Sequence, residues 1–153
     1  MNTWDQRWMD LARLVASWSK DRSRKVGAVI VDERNSVVSL GWNGFPRGLD
    51  DDVEERHERP AKYQFTEHAE RNAIYNAASI GARLLGCRIF VPWFPCADCA
   101  RAIIQSGLTE MIAIRPDLND PTYGSDFRMV GVMLAEAGVV VRYVDGEAPK
   151  RRC

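Results

Sequence analysis

Four side chains in two short stretches of the sequence are of types that bind a metal ion and move protons. His68 and Glu70 lie two residues apart, and Cys96 and Cys99 form a Cys-x-x-Cys pair. Two thiolates and an imidazole suit zinc better than magnesium or calcium, which prefer oxygen ligands. Three protein ligands leave a fourth tetrahedral position for water, which is the pattern of catalytic rather than structural zinc. The sequence therefore predicts one catalytic Zn²⁺ held by His68, Cys96 and Cys99.

Glu70 is predicted to transfer protons rather than to bind the metal. Two residues along a helix turn a side chain by about 200°, so His68 and Glu70 cannot point the same way within a regular helix. Near the first turn, however, both can flank one cavity. A carboxylate beside an activated water can take its proton and deliver it to a leaving amine. We therefore assign Glu70 as the catalytic acid and base.

Three further side chains could complete a structural zinc site with four ligands: His57, Cys87 and Cys153. Cys87 opens an apolar strand and is interpreted as a small core residue, whereas Cys153 is the last residue and is expected to be frayed. His57 lies in a charged loop and is expected to be solvated. A non-catalytic zinc scaffold stays open as the alternative to an enzyme, and the presence of Glu70 argues against it.

Apolar periodicity predicts helices and strands that alternate along the chain. Helices are expected over about 4–19, from the N-cap Thr66 to about Ser79, from Pro95 to Gly107, and along 127–137. Strands are expected over 26–31, 36–40, 87–91, 111–114 and 139–144, with 43–62 as a long loop.

This alternation predicts the α/β class. The expected architecture is a three-layer α/β/α sandwich with a five-stranded mixed sheet, in which an N-terminal hairpin supplies the one antiparallel pair and the remainder is largely parallel. The 153 residues fit a single domain, 1–153. A domain of that size buries roughly 68–70% of its unfolded surface and needs no disulfides to hold its core.

The motifs resemble those of a known enzyme superfamily. Thr66-Glu67-His68-Ala69-Glu70, then 24 residues, then Pro95-Cys96-Ala97-Asp98-Cys99 is similar to the His-x-Glu … Pro-Cys-x-x-Cys signature of the cytidine/deoxycytidylate deaminases. Within that superfamily the resemblance is closest to the deoxycytidylate deaminases, over roughly residues 10–145. It implies a cytidine deaminase-like fold and hydrolysis of dCMP to dUMP and ammonia. Cytidine, guanine and a tRNA adenosine stay open as other substrates.

The resemblance also implies roles for two residues near the base and sugar. Asn43, within Gly41-Trp42-Asn43-Gly44, would hydrogen-bond the sugar, and the backbone around Ala69 would meet the edge of the base. An amide suits the first role because it can donate and accept hydrogen bonds at once.

The sequence is less specific about the residues that would contact the phosphate and the face of the base. A phosphate needs a cation or a helix N-terminus, and Arg24, Lys25 and Arg47 are the candidates, among which the sequence does not choose. Trp93 and Tyr123 could wall the base by stacking, or could be ordinary packing. Pro92-Trp93-Phe94 replaces the smaller polar residues common before Pro95 in the family.

The amino-acid composition limits the kinds of partner that we expect. Twenty-one basic side chains balance 21 acidic ones, which argues against nucleic acid as a partner. The N-terminus does not resemble a signal peptide and no apolar stretch approaches 18 residues, so we expect a cytoplasmic protein with no membrane partner. The resemblance implies a homo-oligomer, often a hexamer. The Trp-bearing first helix could serve such an interface or pack on its own sheet.

Overall fold

The computed structural model describes residues 3–150, so Cys153 lies outside the described part. Helices and strands alternate as the periodicity predicts, with one short extra helix in the middle of the chain. In chain order they are α1 (Thr3–Ala16), β1 (Gly27–Val31), β2 (Val37–Trp42), a 3-10 turn (Glu54–His57), α2 (Lys62–Phe65), α3 (Ala69–Ser79), β3 (Arg88–Val91), α4 (Ala97–Gln105), β4 (Glu110–Ile114), α5 (Gly124–Glu136) and β5 (Val140–Val144).

The five strands form one mixed sheet in the order β2-β1-β3-β4-β5. The predicted hairpin of β1 and β2 and the parallel arrangement of β3, β4 and β5 are confirmed. The prediction that the hairpin supplies the one antiparallel pair was wrong, because β1 also pairs antiparallel with β3. The reason is topological: α3 connects the parallel strands β2 and β3, and β1 lies between them.

Helices cover both faces of the sheet, which confirms the predicted α/β/α sandwich. Helices α3, α4 and α5 pack on one face and α1 packs on the other. Strand β1 is buried along its whole length. Its side chains alternate, with Ala28 and Ile30 toward α3 and with Val29 and Val31 toward α1. No helix within residues 3–150 is long and apolar enough to cross a bilayer.

Two predicted helix starts were wrong, and both corrections concern residues predicted to bind the metal. Thr66 ends α2 instead of capping the next helix, and His68 is the N-cap of α3. Pro95 precedes α4, whose N-cap is Cys96. Both caps have extended backbones, with ψ of 154° at His68 and 171° at Cys96. Their carbonyl oxygens accept the first helical hydrogen bonds, at 2.9 Å from Asn72 N and Ala100 N.

Close packing fixes the start of α3 against the sheet. Gly41 of β2 lies so near α3 that a Cβ there would stand 2.4 Å from Ala69 O and 2.3 Å from Ala73 N. Only glycine permits this approach of two backbones. The first turn of α3, which carries the predicted catalytic residues, is therefore held directly by β2.

Candidate metal and active site

The side chains of His68, Cys96 and Cys99 converge where α3 and α4 begin. His68 Nδ1 lies 3.5 Å from Cys96 Sγ and 3.5 Å from Cys99 Sγ, and all three atoms lie within 4.8 Å of one another. Zinc bonds of about 2.0–2.1 Å to nitrogen and 2.3 Å to sulfur, at a tetrahedral angle, would separate such atoms by about 3.6 Å. The three ligand atoms therefore fit one tetrahedral zinc ion.

Within residues 3–150, neither of the two alternative ligands, Cys87 and His57, joins this cluster. Cys87 is 5% exposed and belongs to the core, as its interpretation as a core residue predicts. His57 is not simply solvated, which corrects the sequence interpretation. Its ring stacks on Phe45 with centroids 4.7 Å apart, and its Nε2 lies 2.6 Å from the carbonyl oxygen of Asp51.

The surroundings of the cysteines favour a thiolate. The hydrogen bond from Cys99, supported by His68, outweighs burial and lowers the pKa of Cys96 to about 4. That same hydrogen bond, together with burial, raises the pKa of Cys99 because Cys99 keeps the shared proton. The hydrogen bond with Cys96 raises the pKa of His68. The positive end of α4 also favours negative charge at these sulfurs.

Glu70 lies inside the protein beside the ligand cluster. It is the second residue of α3, it is 3% exposed, and its Oε2 lies 3.5 Å from Cys99 Sγ. Burial raises the pKa of Glu70. His68 has an extended rather than a helical backbone. The 200° relation within a helix therefore does not apply, and both side chains reach one cavity.

A charged bridge that sequence reasoning missed links the two ligand-bearing helices. Arg71 Nε donates to Glu67 Oε1 at 2.5 Å, and Arg71 Nη1 lies 3.4 Å from Asp98 Oδ2 in the first turn of α4. Glu67 Oε1 also accepts the backbone N–H of His68 at 3.0 Å. The i,i+4 spacing of Glu67 and Arg71 is visible in the sequence, but the contact with Asp98 arises from the tertiary fold.

Two of the three predicted ligands, His68 and Cys96, line one cavity of about 300 Å³ together with Glu70, and Cys99 is fully buried next to them. This volume lies at the lower end of the range for small-molecule sites. Of the residues predicted to contact substrate, the cavity wall includes Asn43, Ala69, Arg24, Trp93 and Tyr123. Residues that were not predicted to contact substrate also line it, among them Asp21, Ser23, Arg59, Lys62, Tyr63, Phe94 and Asp126.

Two of the three candidate phosphate ligands are not part of that wall. Among the residues described, neither Lys25 nor Arg47 lines the cavity. Arg47 instead points along the outside of α3, where its Nη2 donates to Asn76 Oδ1 at 2.5 Å. The structure thus brings Arg24 to the site and leaves Lys25 and Arg47 away from it.

Asn43 holds the chain segment that carries Arg24. Its Nδ2 donates to Arg24 O at 2.8 Å, and its Oδ1 accepts the N–H of Val26 at 2.8 Å. It is only 7% exposed, yet it lines the cavity. Contact of Asn43 with a sugar stays a prediction, as does the contact of the Ala69 backbone with a base.

Arginine and lysine side chains give the cavity a cationic side. The guanidinium carbon of Arg24 lies 3.8 Å from the ring centroid of Trp93. Arg59 donates from Nε to Tyr63 Oη at 2.6 Å and from Nη2 to Ser23 Oγ at 3.2 Å. Lys62, in contrast, pairs with Asp21 at 3.2 Å. Within residues 3–150 the two arginines therefore contact neutral groups, whereas the charge of Lys62 is already matched.

Comparisons with known proteins agree with this geometry. Residues 2–115 match the model of the cytidine and deoxycytidylate deaminase zinc-binding region. The "Uncharacterized deaminase in luxG 3'region" of Aliivibrio fischeri is 40% identical over 147 residues, covering 94% of this chain and 95% of that protein. Human deoxycytidylate deaminase is 38% identical over 144 residues, covering 91% and 78%.

A solved structure shows the same fold. The crystal structure of the dCMP deaminase from cyanophage S-TIM5 in complex with dCMP and dUMP matches with a TM-score of 0.71 and 28% identity, covering 94% of this chain and 99% of the other. The matched zinc-binding region contains His68, Cys96 and Cys99, which the structure brings together. This chain belongs to the cytidine and deoxycytidylate deaminase family.

Proposed function

We propose that this protein is a zinc-dependent hydrolytic deaminase that converts dCMP to dUMP and releases ammonia. One observation carries the proposal: three metal ligands lie within reach of one ion, and the buried carboxylate of Glu70 lies next to them on a cavity that His68 and Cys96 also line. A scaffold has no use for a buried acid beside an open metal position. The match to deoxycytidylate deaminases over most of the chain supports the choice of substrate.

The proposed mechanism divides the work between the metal ligands and Glu70. His68, Cys96 and Cys99 would hold the zinc ion, which would supply a nucleophile at neutral pH by lowering the pKa of a water molecule to about 7. Glu70 takes a proton from the attacking water and delivers it to ring N3, while the oxygen adds to C4. Glu70 then moves the remaining hydroxyl proton to the amine, the C4–N bond breaks, and ammonia leaves uracil behind.

The cationic side of the cavity supports a monophosphate as the substrate. Arg24 and Arg59 both line the cavity that His68 and Cys96 also line. A guanidinium binds phosphate through paired N–H donors in a plane. We assign phosphate binding to Arg24, with Arg59 as a second donor, and sugar binding to Asn43. Tyr123 lines the same cavity and is assigned to the base.

The test is ammonia release across a panel of dCMP, deoxycytidine, cytidine, guanine and a tRNA anticodon stem-loop. The proposal predicts that dCMP has the highest kcat/KM and exceeds deoxycytidine by at least about tenfold. Equal rates for dCMP and deoxycytidine would refute the phosphate assignment. Ammonia release from guanine alone or from the tRNA stem-loop alone would show that the enzyme is a deaminase of that other substrate. Zinc-loaded protein that releases no ammonia from any of them would be a scaffold.

We further propose that residues 1–153 form one deaminase domain that acts in the cytoplasm as a homo-oligomer, up to a hexamer. The described part has a single sheet between two helical layers, and Cys87, Cys96 and Cys99 are free thiols.

The exposed surface supports the assembly. Large apolar side chains are exposed on helices that flank the site: Tyr75 on α3 and Met129 and Val132 on α5. In contrast, α1 buries Met9 and Ala12 against its own sheet. Light scattering after gel filtration measures the assembly, and a monomeric mass refutes it.

A further inference from the structure

A guanidinium lies over the ring of an indole in the wall of the candidate active-site cavity. The Arg24 guanidinium carbon lies 3.8 Å from the Trp93 ring centroid, well within the roughly 6 Å limit of a cation–π contact. It lies 5.4 Å from the ring of Tyr123. Stacking uses the face of the guanidinium, whereas its N–H donors lie in the plane and remain directed sideways. A stacked Arg24 can therefore still bind a phosphate.

The backbone of Arg24 is fixed from two sides. Asp21 Oδ1 accepts its N–H at 3.0 Å, and Asn43 Nδ2 donates to its carbonyl oxygen at 2.8 Å. Its Nε donates to Pro149 O at 3.2 Å. A long arginine side chain usually loses much rotamer freedom when it binds a ligand. Here the backbone is already held at one end and the guanidinium is held at the other end by Trp93.

Trp93 is itself held in one orientation. Its ring meets Tyr123 edge to face at 5.7 Å and Phe127 at 5.6 Å, with interplanar angles of 87° and 71°. It lies three residues before the metal ligand Cys96, on the loop that follows β3. One short loop therefore positions both the Trp93 indole and the metal ligand Cys96. Because Arg24 lies over the indole, this loop also fixes how far the Arg24 guanidinium is from the metal ligands.

We propose that Trp93 is a specificity-determining positioning residue, which holds Arg24 where the phosphate of a nucleoside monophosphate binds. The inference rests on the proposed function and adds a reason for preferring dCMP to deoxycytidine. It differs from the prediction that Trp93 walls the base, because Arg24 covers a face of the indole. Trp93 acts through Arg24 and does not contact the reacting atoms.

The test measures kcat and KM for dCMP and for deoxycytidine in the wild type, Trp93→Leu and Trp93→Phe. Loss of a cation–π contact should lower kcat/KM for dCMP about 3- to 30-fold in Trp93→Leu, through KM rather than kcat. The value for deoxycytidine should fall far less, because that substrate has no phosphate, so the ratio of the two values should fall. Trp93→Phe keeps an aromatic face and should restore most of the dCMP preference.

Two controls separate positioning from a general structural role. Trp4→Leu removes an indole that is also covered by an arginine, with Arg7 at 4.7 Å, but that lies on α1 away from the cavity. It should leave both substrates unaffected. Arg24→Gln should remove the dCMP preference, and adding Trp93→Leu to it should lower the dCMP value little further.

The outcomes distinguish this inference from the proposed function. A wild type that does not prefer dCMP to deoxycytidine overturns the phosphate assignment of the proposed function, and the inference with it. A wild type that prefers dCMP, with a Trp93→Leu variant that loses both substrates equally, overturns the inference alone. Multiplicative effects of Trp93→Leu and Arg24→Gln on dCMP also overturn it, because they show that the two side chains act independently.

Discussion

At the scale of single residues, Glu70 is the side chain that distinguishes an enzyme from a non-catalytic zinc scaffold. Its carboxylate is buried beside the ligands and approaches Cys99 Sγ at 3.5 Å. Burial raises the pKa of Glu70, so the group can hold a proton between the two transfers of the proposed mechanism. A polar group buried this deeply destabilises a protein unless it has a partner. Its position next to the metal ligands makes proton transfer the simplest reason for its presence.

Glu70→Gln is the direct test of that role. Glutamine keeps the shape of the side chain but cannot take up a proton, so kcat should fall by about 10²- to 10⁴-fold. Metal analysis should still find one zinc per chain, since Glu70 is not assigned as a ligand. A variant that keeps more than about a tenth of the wild-type kcat excludes Glu70 as the general acid and base.

Cys96→Ser tests the metal triad. A serine hydroxyl is a poor zinc ligand compared with a thiolate, so the purified variant should contain little zinc and show no turnover. Cys87→Ser is the matched control, because Cys87 is a buried cysteine whose Sγ contacts Arg83 O at 3.6 Å, and the cluster does not include it. Its zinc content should equal that of the wild type. Full zinc occupancy in Cys96→Ser contradicts the assignment.

At the scale of elements, the site is built from two helix N-termini. His68 and Cys96 occupy the N-cap positions of α3 and α4, and neither uses its side chain to cap its helix. The ligand side chains are therefore free to turn toward each other. The partial positive charge at each helix start also stabilises the thiolate form. Arg71 adds a full charge between the two helices through Glu67 and Asp98.

Arg71→Met should loosen the site without removing a ligand. The substitution keeps an apolar stem but deletes the link between Glu67 and Asp98, so zinc should dissociate to a chelator about tenfold faster. Arg101→Met is the matched control, because Arg101 pairs with Asp98 on the exposed side of α4 and does not reach α3. Equal release rates for the two variants would show that the bridge does not hold the site.

Local spacing explains which parts of the site the sequence revealed. The clustering of His68, Glu70, Cys96 and Cys99 was predictable because these side chains, at short and specific spacings, lie at the starts of two periodic helices. The helix starts themselves were misplaced, because Thr66 is a favourable cap yet the chain turns there to end α2. The phosphate candidates could not be ranked, since only the fold shows which cations face the cavity.

At the scale of the whole molecule, the order of the strands in the sheet could not be predicted from the alternation of helices and strands along the chain. Alternation predicts a sheet covered by helices, and that is confirmed. It does not reveal that β1 lies between β2 and β3, because either strand of a hairpin can pair with the next strand of the sheet. The same limit applies to Arg59 and Lys62, which reach the cavity from a segment read as a loop.

Global stability should depend on pH through Asp21. Burial would raise the pKa of its carboxyl, but the N–H groups of Arg24 and Ser23 and the ammonium of Lys62 lower it below 3.8. A lowered pKa means that the carboxylate stabilises the folded state fully above 3.8, and that this stabilisation is lost as pH falls through the folded pKa.

The measurement compares the free energy of unfolding of the wild type and Asp21→Asn in urea at several pH values. The advantage of the wild type should be constant from about pH 7 to about pH 5 and should shrink below about pH 4. An advantage that grows on acidification would reverse the sign and refute this account of Asp21.

Removal and return of the metal tests the central claim most directly, because it asks the intact protein to perform the proposed reaction. Metal-free protein is prepared with a chelator, zinc is added back in steps, and dUMP and ammonia are both measured with dCMP as substrate. The account predicts no turnover without metal, equal yields of dUMP and ammonia, and full activity at one zinc per chain. Turnover that persists in metal-free protein, or zinc-loaded protein that leaves dCMP unchanged, would contradict it.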